Sequence, residues 1–120
     1  MPKFSLKEAK KRLITFGLTF PETTLEHPWG QDALKVKGKI FADFGGRDGE
    51  LSMAVKLPVS SEMALTLAWV EPSGYGLAKS GWVTARLKPG ANVDIGTMQG
   101  WMAQSYRAVA PKKLSKLLAD

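Results

Sequence analysis

The stretch "ALKVKGKIFADFGGRDGELSMAVKL", Ala33 to Leu57, decides the fold. Leu34 and Val36 alternate with Lys35 and Lys37, the period-two pattern of a strand with one buried face. Gly38-Lys39 reads as a tight turn into a second strand, "KIFADF". In that strand Phe41 competes with Ile40, Ala42 and Phe44 for the core, so its phase is open. "GGRDG" is a second turn: Gly45, Gly46 and Gly49 supply positive φ, and Asp48 forms an Asx-turn. Leu51, Met53, Val55 and Leu57 then alternate against Ser52, Ala54 and Lys56. Links this short join only antiparallel neighbours, so the stretch predicts a three-stranded meander.

Helical patterns flank it. Ser5 and Glu8 have capping-box spacing, with Phe4 as a staple. Leu6, Ala9, Leu13 and Phe16 recur at helical spacing, and Gly17 is the stop. Lys7, Lys10 and Lys11 fall on the solvated side. "FPETTLEHPWGQD" holds two prolines and a glycine, which predicts an ordered loop packing Phe20, Leu25 and Trp29. After Pro58, a serine at 60 or 61 caps a helix through "EMALTLAWV". "YGLAK" and "GWVTARL" read as a second hairpin about Ser80-Gly81. Asp94 caps a long helix carrying Met98, Trp101, Met102, Ser105, Tyr106 and Val109, with Gly96 and Gly100 placed for close packing. Pro111 ends that helix, and "PKKLSKLL" adds a terminal turn. The expected class is α+β: helices packed on one face of an antiparallel sheet, in the order α-β-β-β-α-β-β-α.

The totals bound the function. The chain has 120 residues, 44% of them hydrophobic and 23% charged, which suits one domain over 1–120. Lys and Arg outnumber Asp and Glu by 17 to 11, a formal charge of +6 that favours anionic partners. There is no cysteine, which excludes disulfides, thiolate zinc sites and a cysteine nucleophile. The first residues have no apolar leader core, and no apolar run approaches the ~20 residues of a membrane span. The expectation is a cytoplasmic protein, with no membrane partner, acting as a monomer.

Catalysis has little to rest on. His27 is the one histidine, in the proline-flanked loop, where a structural role is the default. No phosphate-loop or dinucleotide motif is present, and neither a metal nor a cofactor is expected. The open sheet face is more informative. If Leu34, Val36, Leu51, Met53, Val55, Val83, Ala85 and Leu87 face the helices, period two turns Lys35, Lys37, Ser52, Lys56, Trp82, Thr84 and Arg86 outward. That set has four cations, one tryptophan and no acid. Asp43 joins it if the second strand takes that phase. A lysine-rich wet face is one reading; phosphate neutralisation beside a stacking ring is the other.

"FPETTLEHPWGQDALKVKGKIFADFG", "GELSMAVKL", "GYGLAKSGWVTARL" and "MQGWMAQSYRAVAPKK" resemble, in that order, the MmcQ/YjbR family. The resemblance implies a fold like that of type III secretion chaperones and frataxin, described as a double wing, with each hairpin a DNA-binding wing. Lys39, Lys79, Gly81 and Trp82 match the hairpin motifs, and Ser80 stands where relatives carry histidine or asparagine. The function expected is non-enzymatic DNA binding with low sequence specificity, as in a small bacterial protein. Lys35, Lys37, Lys39, Arg47, Lys79, Arg86 and Lys88 would meet phosphates, and Trp82 a sugar or base. The chaperone likeness makes a protein or peptide adaptor the alternative. A pocket among His27, Trp29 and Trp82 would make the chain a small-ligand binder instead.

Overall fold

The computed structural model describes residues 5–27, 31–46, 49–74 and 76–118. The meander is present as β2 (Asp32–Val36), β3 (Lys39–Gly45) and β4 (Leu51–Lys56). Its first turn is Lys37-Gly38, one residue earlier than the spacing predicts. Val36 pairs with Lys39, so two residues remain between the strands. Both have positive φ, 51° at Lys37 and 79° at Gly38. That is the handed turn whose twist suits a hairpin, and it places a lysine in a conformation usually left to glycine or asparagine.

The ambiguous phase of β3 has a physical cause. Leu34 pairs with Ala42 but Lys35 with Ile40, which leaves Phe41 as an extra residue. This is a β-bulge, and it lets one strand bury both Phe41 and Ala42. The β3–β4 ladder runs from Gly45/Ser52 to Ala42/Val55. Just past that last pair, Ser105 from the long helix takes over. Its Oγ donates to the Phe41 carbonyl at 2.5 Å and accepts from the Lys56 amide at 2.8 Å. One buried hydroxyl thus serves two backbone groups that would otherwise be unpaired.

Two further strands differ from expectation. The proline-flanked loop contains β1 (Thr23–Glu26), which pairs with β2 and forms one edge of the sheet. The helix expected through Val70 stops early. α2 spans only Ser61–Ala64, with Thr66 Oγ1 donating back to the Met63 carbonyl. Val70–Pro72 then forms β5, on the outside of β6 (Trp82–Leu87). The described part of "YGLAK" is not a strand: Leu77–Ser80 is a 3-10 turn between left-handed glycines 76 and 81. Gly81 is fixed there sterically, since a Cβ would lie 3.0 Å from the Leu57 carbonyl. The sheet order is β1-β2-β3-β4-β6-β5, antiparallel throughout.

The helices lie on one face of this sheet. α1 (Leu6–Gly17) starts as read, with Ser5 Oγ accepting from the Glu8 amide. α3 (Ile95–Val109) starts with Asp94 accepting from the Thr97 amide, and α4 is Lys112–Ser115. The buried face of α3 presents Met98, Met102 and Tyr106 to Phe41, Phe44, Met53 and Val55. Tyr106 stacks edge-on against Phe20 and Phe41 and donates its hydroxyl to the Pro21 carbonyl at 2.7 Å. Gly17 ends α1 for a packing reason rather than a left-handed one. A Cβ there would meet Leu34 Cδ1 at 2.4 Å and Met102 Cε at 2.8 Å. The close packing expected at Gly96 and Gly100 is not found, as nothing lies within 4 Å of a Cβ on Gly100.

Candidate nucleic-acid interface

Residues opposite one another in antiparallel strands share a face, so the pairing register maps the open face directly. Glu26, Ala33, Asp43, Ala54, Thr84 and Glu71 form one row across all six strands. The face therefore carries three carboxylates along its middle, where the sequence pattern allowed only Asp43. Asp43 is partly buried with no hydrogen-bond or ion-pair partner among the described residues, and burial pushes its carboxyl above the usual range. The row next to it, toward the Lys37-Gly38 turn, holds Lys35 opposite Ile40 and Lys56 opposite Trp82. On the other side lie Gly45, Ser52 and Arg86.

This arrangement divides the eight candidate residues. Lys35, Lys37, Lys39, Lys79 and Trp82 lie toward the hairpin end of the sheet. Arg86 and Lys88 lie toward the other end, with the acidic row between. Lys88 is six residues from Trp82 along an extended chain, about 20 Å. Arg47, Trp29 and Asp48 lie outside the described residues, as do Phe4 and Tyr75.

The cations also differ in their partners. Arg86 donates from Nε to Glu71 at 2.9 Å and from Nη2 at 2.7 Å, and Glu50 approaches at 4.0 Å. Lys35 pairs with Glu26 at 3.3 Å, and Lys37 with Glu22 at 2.6 Å. The Lys37 ammonium holds the Glu22 carboxyl below its usual range, and Lys113 contributes from α4. Lys39 and Lys79 are exposed and enter no ion pair among the described residues. Sequence reasoning omitted Lys56 and Lys113 from the set. Lys56 was legible in the period-two pattern; Lys113 was not, because only the tertiary fold brings α4 beside Glu22.

The hairpin end thus holds Lys37, Lys39, Lys56, Lys79 and Lys113, with Glu22 beside Lys37 and Lys113 and Glu62 on the α2 helix that follows β4. Trp82 is half-buried beside Lys56. Such an end offers several mobile ammonium groups and one ring edge, which suits a polyanion better than a single small anion. His27 and Trp82, the described members of the His27–Trp29–Trp82 set whose pocket would have raised a small-ligand reading, do not come together. His27 follows β1, bonded through Nε2 to Asp32 at 2.8 Å, and three strands separate it from Trp82 on β6. Asp32 also binds Lys10 at 2.6 Å, and that ammonium, more than His27, holds its carboxyl below the usual range.

An antiparallel sheet backed by helices, with a basic hairpin end, defines the class: an α+β protein with a candidate polyanion-binding end. Among the described residues no helix is long and apolar enough to cross a membrane. The YjbR family model matches residues 18–108, and the chain belongs to that family. No curated protein matches it. The crystal structure of Deinococcus radiodurans protein DR2400, which carries a DUF419 domain, is similar in fold, with a TM-score of 0.71 at 22% identity. That similarity covers 90% of this chain and 86% of DR2400.

Proposed function

We propose that this chain is a non-enzymatic cytoplasmic protein that binds nucleic acid, DNA first, through the hairpin end of its sheet. The observation that supports this is the set of Lys37, Lys39, Lys56 and Lys79 toward the hairpin end of the sheet, with Trp82 opposite Lys56 and Lys113 near Glu22. Lysines reach phosphates as flexible point charges and read no base pattern, so specificity is low. Trp82 packs on a sugar or an exposed base. Arg86 and Lys88 belong to the far end and contribute little.

The test is duplex binding followed by anisotropy across a salt series. Four phosphate contacts give a log–log slope of roughly −3.6, at about −0.9 per contact. Replacing Lys39 and Lys79 together by glutamine flattens the slope by about 1.8, while replacing Arg86 and Lys88 leaves it unchanged. A slope near zero, or equal effects from the two pairs, overturns the reading.

One observation favours an adaptor. Val59, Met63, Leu65, Leu67 and Leu77, five of the seven exposed large apolar side chains among the described residues, come from the single excursion between β4 and β6. Exposed apolar groups of that kind mark protein contacts when they join in one patch. A pull-down after nuclease treatment separates the readings: a protein retained by the wild type and lost with Val59→Ser and Met63→Ser supports the adaptor.

A further inference from the structure

Two turns meet through their side chains at the hairpin end. Thr23 pairs with Val36 at the close of the β1–β2 ladder, so the next residues outward, Glu22 and Lys37, face one another. Both have left-handed backbones, with φ of 54° and 51°, and no other non-glycine residue among the described ones has positive φ. A residue with a Cβ is strained in that conformation, and strained residues cluster at functional sites. Glu22 Oε1 and Lys37 Nζ lie 2.6 Å apart. The acid is set in place from the core side. Phe20 is buried, the Pro21 carbonyl accepts from the Tyr106 hydroxyl at 2.7 Å, and the Thr23 amide donates to the Phe20 carbonyl at 3.3 Å. Lys113 adds a second positive charge beside it. Both side chains of the pair stay about half exposed, open to a ligand from solvent.

We infer that Glu22 is a built-in competitor at the polyanion-binding end: its carboxylate holds the Lys37 ammonium where a phosphate would sit, and a bound polyanion displaces it. The inference rests on the nucleic-acid reading of that end. The two partners are unequal in a way that suits displacement. Glu22 is short and its turn is anchored by Tyr106, whereas the Lys37 ammonium rides on a flexible four-carbon stem that can swing to a phosphate. An exposed ion pair of this kind is weak, so a chain already held at Lys39 and Lys79 can exchange the carboxylate for its own phosphate. With Glu22 in place, Lys37 adds little net attraction, because the freed carboxylate stays within a Debye length of the phosphates. Glu22 therefore limits how tightly the hairpin end holds nucleic acid.

The test measures duplex DNA binding by anisotropy across a salt series for the full chain and its variants. Glu22→Gln frees one lysine, so the log–log slope should steepen by about 0.9 and affinity at 0.1 M salt should rise about eightfold. Glu22→Gly suits the left-handed backbone and should match it, which keeps the result from resting on one variant's fold. Glu62→Gln removes an equal charge from α2 but frees no lysine, and should tighten binding less than about twofold. In a Lys37→Gln background, Glu22→Gln should do no more than Glu62→Gln. Binding gained by Glu22→Gln where the wild type shows none also supports the competitor. A steep wild-type slope that Glu22→Gln leaves unchanged, or changes no more than Glu62→Gln does, overturns the competitor and leaves the hairpin-end reading standing. No duplex binding by either wild type or Glu22→Gln overturns both.

Discussion

Replacing Ser105 by alanine removes one oxygen and should cost far more than a serine usually does. The Oγ lies fully buried between the Phe41 carbonyl and the Lys56 amide, at 2.5 and 2.8 Å. Both groups sit where the β3–β4 ladder ends beside the bulge, so no strand partner is available to either. Each buried group left unpaired costs about 1–3 kcal/mol, and the pair together roughly 2–4 kcal/mol after partial relaxation. At an unfolding entropy of about 2.1 cal/mol/K per residue over the 120-residue chain, a loss of roughly 3 kcal/mol lowers Tm by about 12 °C. Urea unfolding of wild type and Ser105→Ala, with an unchanged m-value, measures the loss directly. Ser115→Ala is the control. Ser115 Oγ also donates to a backbone carbonyl, that of Lys112, but in an exposed turn, so it should stay within about 0.5 kcal/mol. If Ser105→Ala falls in that same narrow range, the hydroxyl is not serving two backbone groups and the account of the bulge is wrong.

Four other sites give checks by the same assay. Gly17→Ala places a methyl against Leu34 and Met102 and should cost about 1–3 kcal/mol despite better helix propensity. Gly100→Ala meets nothing and should gain about 0.5–1 kcal/mol. Thr23 Oγ1 is buried without a hydrogen-bond partner among the described residues, so Thr23→Val should stabilise by about 1 kcal/mol; a loss there would reveal a partner. Asp43 has a carboxyl raised above its ordinary 3.8 by burial, so the folded state holds that proton more tightly than the unfolded one. Its favourable contribution is present below 3.8 and is lost as pH rises through the raised value. Asp43→Asn should therefore be more stable than wild type at neutral pH, and the difference should close in acid; a constant gap would place the effect outside ionisation.

The meander was legible because β2 and β4 each have one wet and one dry face, which forces alternation on the residues themselves. β3 was half legible. Its bulge buries Phe41 and Ala42 together, a pattern that no strict period-two reading contains. β1 and β5 were missed for a different reason. Thr23–Glu26 and Val70–Pro72 are edge strands of four and three residues, too short to show a period and flanked by prolines that read as loop. "YGLAK" misled through its apolar residues, whereas glycines 76 and 81 fix a left-handed bracket around a 3-10 turn. In the candidate site, the cations were legible and their partners were not. Glu71 and Glu26 reach Arg86 and Lys35 only through pairings of those unrecognised edge strands.

The direct pairing of β4 with β6 has a consequence for how this chain tolerates change. The excursion from Leu57 to Gly81 leaves the sheet and returns to an adjoining position, and β5 is added outside β6 as a last rung. Shortening, lengthening or replacing the excursion does not interrupt the succession β1-β2-β3-β4-β6. What it removes is a set of outer fastenings: Arg86 to Glu71, Ser73 to Thr84 at 3.0 Å, Trp69 against Trp101, and Gln104 to Ser60. Divergence in length and grafting of foreign segments should therefore concentrate here, as they do at other peripheral additions to a continuous sheet. The segment could be exchanged like a cassette while the scaffold beneath it is inherited intact.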